Sequence, residues 1–282
     1  MIGKVAVIGA GVMGTGISQV LAEHQIDVIL VDLAPAILED ALAAIRQNLR
    51  LSMLMGKTSK ELDLSALLAH ISVTTSLKEI KHADFVIENI TEKWIAKAEI
   101  YPEMDSICQP DCIFAANTSA ISITRLAGLT RRADKVLGMH FMNPVPQKAM
   151  VETVRGRYTS NLTLERAEAL LARINKHHII VNDTPGFVAN RISHLFINEA
   201  IWVVQEKTGS AEQVDAIFQH CYNHETGPLA TADLIGLDTV LLTLEELYQS
   251  LANDKFRPAP LLQQMVASGL YGRKSGQGFY KY

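Results

Sequence analysis

The sequence predicts an α/β fold in which a doubly wound parallel sheet is followed by an all-helical C-terminal domain. Up to about residue 184, short apolar runs rich in branched residues alternate with longer helical segments. Such runs are typical of parallel strands buried on both faces, and their alternation with helices is typical of a doubly wound sheet. Beyond residue 184 the apolar residues follow a helical period to about Met265. These observations predict an N-terminal domain of residues 1–184 and a helical domain of residues 185–282.

The N-terminal domain begins with two strand-like runs, at residues 5–8 and 27–31, which enclose a helical segment over residues 15–23. Further strand-like runs lie at residues 71–74, 85–87, 112–116, 136–139 and 179–181, and long helical segments lie at residues 35–54 and 94–106. Met150, Glu152 and Val154 are placed at strand spacing, so they share one face of a further strand. The order of these elements predicts helices that connect successive parallel strands.

The C-terminal domain begins where Thr184 and Pro185 indicate a helix start, because a capping residue precedes a proline at the first helical position. Helical segments follow at residues 187–206, 211–220 and about 240–251. A domain of this size holds only a modest core of its own. We therefore expect it to pack against the first domain or against a second copy of the chain, as in a homodimer.

The composition is that of an ordinary soluble enzyme. The 282 residues are 48% hydrophobic and 20% charged, and the net charge is −4. This mildly acidic balance gives no electrostatic reason to expect nucleic acid or an anionic membrane as a partner. The chain opens directly into a strand without a signal peptide, so the cytoplasm is the expected compartment. Its three cysteines are too few and too scattered for a disulfide framework, and no metal site is expected.

A glycine-rich turn joins the first strand to the first helix. Gly9, Gly11 and Gly14 follow the pattern Gly-x-Gly-x-x-Gly, and Asp32 ends the second strand. The first glycine permits a tight turn, the second lets the backbone approach a pyrophosphate, and the third allows close packing of helix and strand. Asp32 would bind an adenosine ribose and repel a 2′-phosphate, and Leu33 follows it where an arginine would favour NADP. The segment therefore predicts a Rossmann-type NAD site; the alternative is a glycine turn in an unrelated α/β domain.

A histidine and a glutamate form the candidate catalytic pair. His140 ends an apolar run, and Glu152 lies on an apolar face of the next strand-like segment. A histidine is the usual general base at neutral pH, and a carboxylate partner fixes its tautomer and raises its basicity. An acid on an apolar face is costly unless it is paired, and His140 is the obvious partner. The alternative is a core histidine near a turn, with Glu152 solvated at a sheet edge.

With these motifs assembled, the chain resembles the short-chain 3-hydroxyacyl-CoA dehydrogenase family, which includes bacterial 3-hydroxybutyryl-CoA dehydrogenases. The likeness runs end to end and rests on motifs at residues 9–14, 116–119, 138–144, 151–152, 185–191, 233–238 and 272–276. The resemblance implies reversible, NAD-dependent oxidation of the 3-hydroxyl of an (S)-3-hydroxyacyl-CoA. It also implies a homodimer formed through the helical domain.

The resemblance further implies roles for individual residues. His140 would be the general base that takes the 3-hydroxyl proton, and Glu152 would orient it and stabilise its cationic form. Ser119 and Asn190 would hydrogen-bond the reacting oxygen and support a developing alkoxide. The implied cofactor contacts are Gly9, Gly11, Val12, Met13, Gly14, Asp32, Asn117 and Asn143 and, near the nicotinamide ribose, Glu92 and Lys97.

One segment departs from the family pattern and leaves the acyl carrier open. The end of the second helix is rich in lysine in CoA-dependent relatives, but here apolar residues such as Leu51 and Met55 replace the lysines. Only Arg50 and Lys57 remain there as substrate-binding cations for the phosphates of CoA. Either these two suffice, or the acyl group arrives on an acyl carrier protein, whose arm carries one phosphate. Residues 89–94 also resemble the branch that acts on carrier-protein-bound groups such as the glyceryl units of polyketide extenders.

Two other classes compete with a hydroxyacyl-thioester dehydrogenase. The family includes a lens crystallin that reuses the fold as a bulk protein. A protein without catalysis has no physical reason to hold His140, Glu152, Ser119 and Asn190 together, which speaks against that class. Two-domain dehydrogenases of sugar acids are the other alternative, and they typically use a lysine as the base.

Overall fold

The structure, a computed structural model, describes residues 2–56 and 63–282. Its contacts divide the chain into two compact units, Met1–Asp183 and Thr184–Tyr282. The first unit is built on a sheet and the second is helical. No helix in the described part of the chain is long and apolar enough to cross a membrane.

The sheet unit holds a single eight-stranded sheet within the described residues. The strands are β1 (Lys4–Ile8), β2 (Asp27–Val31), β3 (Ile71–Thr74), β4 (Phe85–Glu88), β5 (Ile113–Ala116), β6 (Val136–Phe141), β7 (Met150–Arg155) and β8 (His177–Asn182). Their order is β3-β2-β1-β4-β5-β6-β7-β8. Strands β1 to β6 are parallel, β7 runs antiparallel to β6, and β8 is parallel to β7. The predicted α/β class is therefore confirmed. The strand order changes direction between β1 and β4, and sheets of this kind bind their ligands at that point.

Helices connect most of these strands. They are α1 (Val12–Glu23), α2 (Pro35–Leu54), α3 (Leu64–Ala69), α4 (Trp94–Ile107), α5 (Ile123–Ala127) and α6 (Asn161–Arg173). Strands β4, β5 and β6 are buried at every position, which explains their almost continuously apolar sequences. Strand β6 extends to Phe141, beyond the predicted end at residue 139, so His140 lies within the strand and not at a turn.

The helical unit has its own apolar core. Its helices are α7 (Ala189–Gln205), α8 (Ala211–Tyr222), α9 (Pro228–Ile235), α10 (Leu237–Leu251) and α11 (Pro260–Ala267). Buried side chains from these helices form one cluster that includes Ile201, Leu229, Leu244 and Leu262. The start of α8 is stabilised by a capping box, in which the Ser210 side chain accepts from the amide three residues later.

The predicted helix start at Thr184 is wrong. Gly186 and Phe187 have φ angles of 72° and 50°, left-handed conformations that a right-handed helix cannot contain. The chain therefore makes a turn first, and α7 begins at Ala189. The turn also approaches α10 closely, since a Cβ at position 186 would lie 2.6 Å from Leu247 Cδ2. A glycine is required there for both reasons.

Candidate active site

A histidine and a glutamate meet between neighbouring strands of the sheet unit. His140 on β6 lies directly opposite Glu152 on β7 in the antiparallel register. His140 Nδ1 is 3.0 Å from Glu152 Oε2, and the two side chains are 8% and 9% exposed. His140 Nε2 is 3.2 Å from the hydroxyl of Ser119. With Glu152 ionised, Nδ1 carries the hydrogen and donates it to the carboxylate, so Nε2 is the nitrogen that can accept a proton.

Ser119 lies in the loop after β5, and Glu92, from the loop after β4, holds this segment. Glu92 Oε1 accepts from the amides of Ser119 and Ala120, at 2.8 and 3.0 Å, and from the Thr118 hydroxyl, at 2.5 Å. Three donors on one carboxylate oxygen fix the backbone that carries the serine. The hydroxyl of Ser119 is thereby kept within reach of the imidazole.

Asn117 ties the same loop to both neighbouring strands. Its side-chain nitrogen donates to Asn89 Oδ1 at 2.7 Å, and its oxygen accepts from the amide of Phe141 at 3.1 Å. It therefore links the carboxyl ends of β4, β5 and β6, the edge at which doubly wound sheets bind ligands. The cofactor contact implied for Asn117 stays a prediction.

A buried ion pair, which the sequence pattern did not reveal, adjoins Glu92. Lys97 Nζ is 2.7 and 2.8 Å from the two carboxylate oxygens of Glu88 and 3.9 Å from Glu92 Oε2. Burial raises the pKa of Glu88 above its ordinary value, although the ion pair with Lys97 opposes the increase. The one sequence signal for Glu88 was an acid at the end of an apolar strand, which requires a partner. Lys97, predicted to lie near the nicotinamide ribose, is thus placed in this pair with no exposed side-chain surface.

The glycine-rich turn has the shape that a dinucleotide pyrophosphate requires. Gly9 has a φ of 93°, and a Cβ on Gly14 would lie 1.8 Å from the Gly9 carbonyl oxygen. At Gly11 a Cβ would meet no described atom within 4 Å, so the backbone there is open to a ligand. Helix α1 begins at Val12, and no described side chain caps its N-terminus, which leaves the first amides, including that of Met13, to an anion. The residues of this turn fit NAD.

Asp32 is held in place by the backbone around it. Its carboxylate accepts from the amides of Ala10 and Leu33, each at 2.6 Å. The contact with Ala10 joins the acid to the glycine-rich turn, so the ribose and pyrophosphate subsites of a dinucleotide would be kept at a set separation. Leu33 is 95% exposed, which leaves the adjoining surface apolar.

A cavity of about 410 Å³ opens beside the glycine-rich turn. Its other walls are the face of α2 that carries Ala44 and Asn48 and the loop after β6 that carries Asn143 and Val145. The ammonium of Lys176 supports this loop by donating to the Val145 carbonyl at 2.7 Å. The cavity therefore connects the nucleotide turn with the loop that follows the histidine strand.

The remaining predicted substrate contacts lie elsewhere in the chain. Asn190 is in the first turn of α7, in the helical unit. Arg50 is exposed near the end of α2. Lys57 lies outside the described residues. The roles of these three residues stay predictions.

Known proteins resemble the chain over its whole length. Family profiles described as "3-hydroxyacyl-CoA dehydrogenase, NAD binding domain" and "3-hydroxyacyl-CoA dehydrogenase, C-terminal domain" match residues 4–184 and 186–282. A probable 3-hydroxybutyryl-CoA dehydrogenase of Bacillus subtilis is 43% identical, over 99% of this chain and 97% of that protein. The 3-hydroxybutyryl-CoA dehydrogenase of Clostridioides difficile is 40% identical over 99% of each chain. The crystal structure of (S)-3-hydroxybutyryl-CoA dehydrogenase from Ralstonia eutropha, 43% identical, matches with a TM-score of 0.96 over 100% of this chain and 99% of that one.

Proposed function

We propose that this chain, which belongs to the 3-hydroxyacyl-CoA dehydrogenase family, reversibly oxidises (S)-3-hydroxyacyl-CoA of the 3-hydroxybutyryl type to the 3-oxoacyl thioester. The chain is an NAD-dependent oxidoreductase. Full-length similarity to enzymes named 3-hydroxybutyryl-CoA dehydrogenase supports the substrate class. The observation that carries the chemistry is the buried contact between His140 and Glu152, with the Ser119 hydroxyl at the other ring nitrogen.

His140 is the general base of this reaction. NAD, when bound, supplies the hydride acceptor. His140 Nε2 takes the proton of the 3-hydroxyl as the alcohol carbon becomes a carbonyl, and in the reverse direction it returns that proton. Glu152 accepts from Nδ1–H and stabilises the positive charge that the ring acquires. A base placed in this way contributes about 10²–10⁴-fold to the rate.

Ser119 and Asn190 bind the reacting oxygen. The Ser119 hydroxyl lies 3.2 Å from His140 Nε2, so an oxygen that gives its proton to that nitrogen is also within reach of the serine. The family resemblance implies Asn190, on α7, as a second donor. In reduction the two donors stabilise the alkoxide that develops at the 3-position.

The cofactor is bound along the carboxyl edge of the sheet. The amides of Val12 and Met13 at the start of α1 bind the pyrophosphate, and Asp32 binds the adenosine ribose. Asn143 lines the cavity beside the glycine-rich turn. Glu92, with a side chain 41% exposed, serves the nicotinamide ribose.

The test is NAD-linked oxidation of (S)-3-hydroxybutyryl-CoA by the purified protein, followed as NADH absorbance. The (R)-enantiomer and NADP in place of NAD are the matched controls, and both should react much more slowly. Reduction of acetoacetyl-CoA with NADH should occur in the same preparation. No turnover in either direction with 3-hydroxyacyl-CoA of any chain length would overturn the proposal.

The same reaction on an acyl group held by an acyl carrier protein is the second candidate. Ala44, Asn48, Leu51 and the C-cap residue Met55 follow one another at spacings of three and four residues, so they continue one face of α2 to its end. That face begins in the cavity and ends in Leu51 and Met55, which are 49% and 67% exposed. Leu51 and Met55 themselves give the phosphates of CoA no cation, which leaves Arg50 beside them, but an apolar surface suits a protein partner, whose phosphopantetheine arm would enter the cavity.

One 3-oxoacyl group, assayed once on CoA and once on a carrier protein, separates the two candidates. A tenfold or larger kcat/KM in favour of CoA would discard the carrier protein, and the opposite ratio would establish it. If Leu51 and Met55 contact the carrier, Leu51→Lys/Met55→Lys should lower kcat/KM with the carrier protein and raise it with CoA. Leu162→Lys, the same change at a 64% exposed position of α6, is the matched control.

A homodimer formed through the helical unit completes the proposal. Ile192 on α7, Leu234 on α9 and Leu242 on α10 are 64%, 58% and 65% exposed. Exposed apolar side chains on several helices of one small unit are typical of an interface between subunits. Light scattering should give twice the chain mass of 31.0 kDa, and Ile192→Glu/Leu242→Glu should give the monomer. A monomeric wild-type protein would overturn the dimer.

A further inference from the structure

An aspartate at the end of the sheet unit holds the far end of the Ser119 loop, residues 117–122, which joins β5 to α5. Asp183 comes directly after β8 and is the last residue of that unit. Its Oδ2 accepts from the Ser122 hydroxyl at 2.8 Å and from the Thr124 amide at 2.7 Å. Its Oδ1 accepts from the Ile123 amide at 3.1 Å. One carboxylate therefore binds three consecutive residues where the loop ends and α5 begins.

The backbone on both sides of this contact is fixed to β7, the strand that carries Glu152. The Asp183 amide donates to the Arg155 carbonyl at 3.0 Å, which continues the hydrogen bonding between β7 and β8 past the end of β8. The Thr124 hydroxyl accepts from the Arg157 amide, just after β7, at 2.9 Å. Asp183 therefore connects the Ser119 loop to the strand that holds the glutamate of the candidate catalytic pair.

The Ser119 loop is held at both ends, and the second end depends on this contact. At its start Asn117 donates to Asn89 Oδ1 at 2.7 Å. At its end Ser122 lies three residues after Ser119 and leads into α5, which has only five residues. A helix of that length is not stable by itself, so it gives the loop a firm end only when another part of the fold holds it.

We infer that Asp183 is a positioning residue for the Ser119 hydroxyl, an inference that rests on the proposed function. The carboxylate fixes the end of the loop relative to β7, and β7 in turn pairs with β6, which carries His140. The hydroxyl is thereby kept 3.2 Å from His140 Nε2, at the point where the reacting oxygen binds. Asp183 acts on the reaction through Ser119.

The alternative role is that of a helix cap alone. A carboxylate at the first amides of a helix stabilises the helix, but Ser122 already caps α5 by accepting from the Arg125 amide. Loss of a cap would lower the folded fraction by the same factor whichever residue stands at position 119. Loss of a positioning residue would have no further effect once the Ser119 hydroxyl is gone. The two roles therefore differ in a double-variant comparison.

Initial rates of Asp183→Ala, Ser119→Ala and their double variant, measured well below their melting temperatures, form the test. Asp183→Ala should lower kcat about 10- to 100-fold, because a displacement of about 1 Å costs about 100-fold in rate. Ser119→Ala should lower kcat about 100- to 1000-fold. The double variant should stay within about twofold of Ser119→Ala. Losses that multiply, or a folded Asp183→Ala protein with wild-type kcat, would overturn the inference.

A milder variant and a matched control guard against an effect of misfolding. Asp183→Asn keeps one acceptor oxygen, so it should fold and lose several-fold in kcat, again without a further loss in the Ser119→Ala background. Asp84 Oδ2 accepts from the amides of Gly3 and Lys4, at 2.7 and 3.0 Å, beside the amino end of β4. Asp84→Ala therefore removes the same kind of contact from the opposite edge of the sheet and should keep wild-type kcat.

Hydrogen exchange of the cofactor-free protein gives a readout that does not depend on turnover. The amides of Ile123 and Thr124 donate to Asp183, so a peptide that contains them should exchange several-fold faster in Asp183→Ala. Unchanged exchange would overturn the inference. If exchange accelerates while the wild-type protein oxidises no 3-hydroxyacyl thioester, the proposed function fails and only the anchoring of the loop by Asp183 stands.

Discussion

Glu152→Gln removes the charge of the carboxylate and keeps its shape. The glutamine can still accept from His140 Nδ1, which lies 3.0 Å from Glu152 Oε2, but it cannot stabilise a positive ring. Hydrogen bonds to charged groups contribute about 1.5–3 kcal/mol, and about 1.36 kcal/mol is a factor of ten in rate. Because both side chains are largely shielded from solvent, at 8% and 9% exposure, little of this contribution is screened. The expected loss in kcat is about 10- to 150-fold.

The assay is the initial rate of NADH formation at saturating NAD and substrate. Glu165→Gln, the same chemical change at an exposed position of α6, is the control and should keep wild-type kcat. In His140→Gln/Glu152→Gln there is no base left for the glutamate to assist, so the loss should equal that of His140→Gln alone. Additive losses, or a Glu152→Gln enzyme within twofold of the wild-type rate, would refute the reasoning.

Asp32→Ser should raise the KM for NAD about tenfold, because the variant loses the contact with the adenosine ribose. It should also lower the ratio of kcat/KM for NAD to kcat/KM for NADP, because a serine does not repel the 2′-phosphate. Steady-state kinetics with both cofactors measures this, and an unchanged preference would contradict it. Asp105→Asn should lower the free energy of unfolding by about 3–5 kcal/mol at neutral pH, since it breaks a buried pair in which Asp105 Oδ1 is 2.6 Å from Arg132 Nε. Burial raises the pKa of Asp105, but hydrogen bonds from Arg132 and Arg131 outweigh it and leave the pKa below its ordinary value. The stabilisation by Asp105 is therefore complete above about pH 4 and is lost as pH falls through the lowered pKa. Urea unfolding of the wild-type and Asp105→Asn proteins should show that their difference in free energy of unfolding shrinks in acid. A difference that stays constant with pH would contradict this prediction.

The cofactor side of the site could be predicted because it is local in sequence. Gly9, Gly11, Gly14 and Asp32 belong to one strand–helix–strand unit, so their spacing alone places the turn, the helix start and the acid together. The contact between His140 and Glu152 could be predicted for a different reason. A costly acid on an apolar strand face requires a partner, and the neighbouring strand offered one.

The second half of the site depends on contacts that spacing does not encode. Resemblance matched Glu92 to an acid near the nicotinamide ribose, but its bonds to the Ser119 loop arise only when β4 and β5 are paired in the sheet. The pair of Glu88 and Lys97 joins a strand end to the interior face of a helix, and no short motif describes it. Such partners become evident only in three dimensions.

Two further differences have simple physical causes. A helix start at Thr184 followed from its capping and proline pattern, but the left-handed backbone at Phe187 overrides that local preference. The strand at residues 179–181 was placed correctly, yet Ile179 and Ile180 are 56% and 47% exposed because β8 is the edge strand of the sheet. A branched apolar run therefore indicates a strand more securely than it indicates burial.

The proposed chemistry depends on His140. The most direct test is to measure kcat and the dissociation constant of NADH on one preparation of the His140→Gln variant. The glutamine keeps a polar side chain beside Glu152 but cannot take a proton at neutral pH. We expect kcat to fall about 10²–10⁴-fold, while NADH affinity stays within about twofold of wild type. A His140→Gln enzyme that turns over at the wild-type rate would show that another group accepts the proton, and would contradict the account.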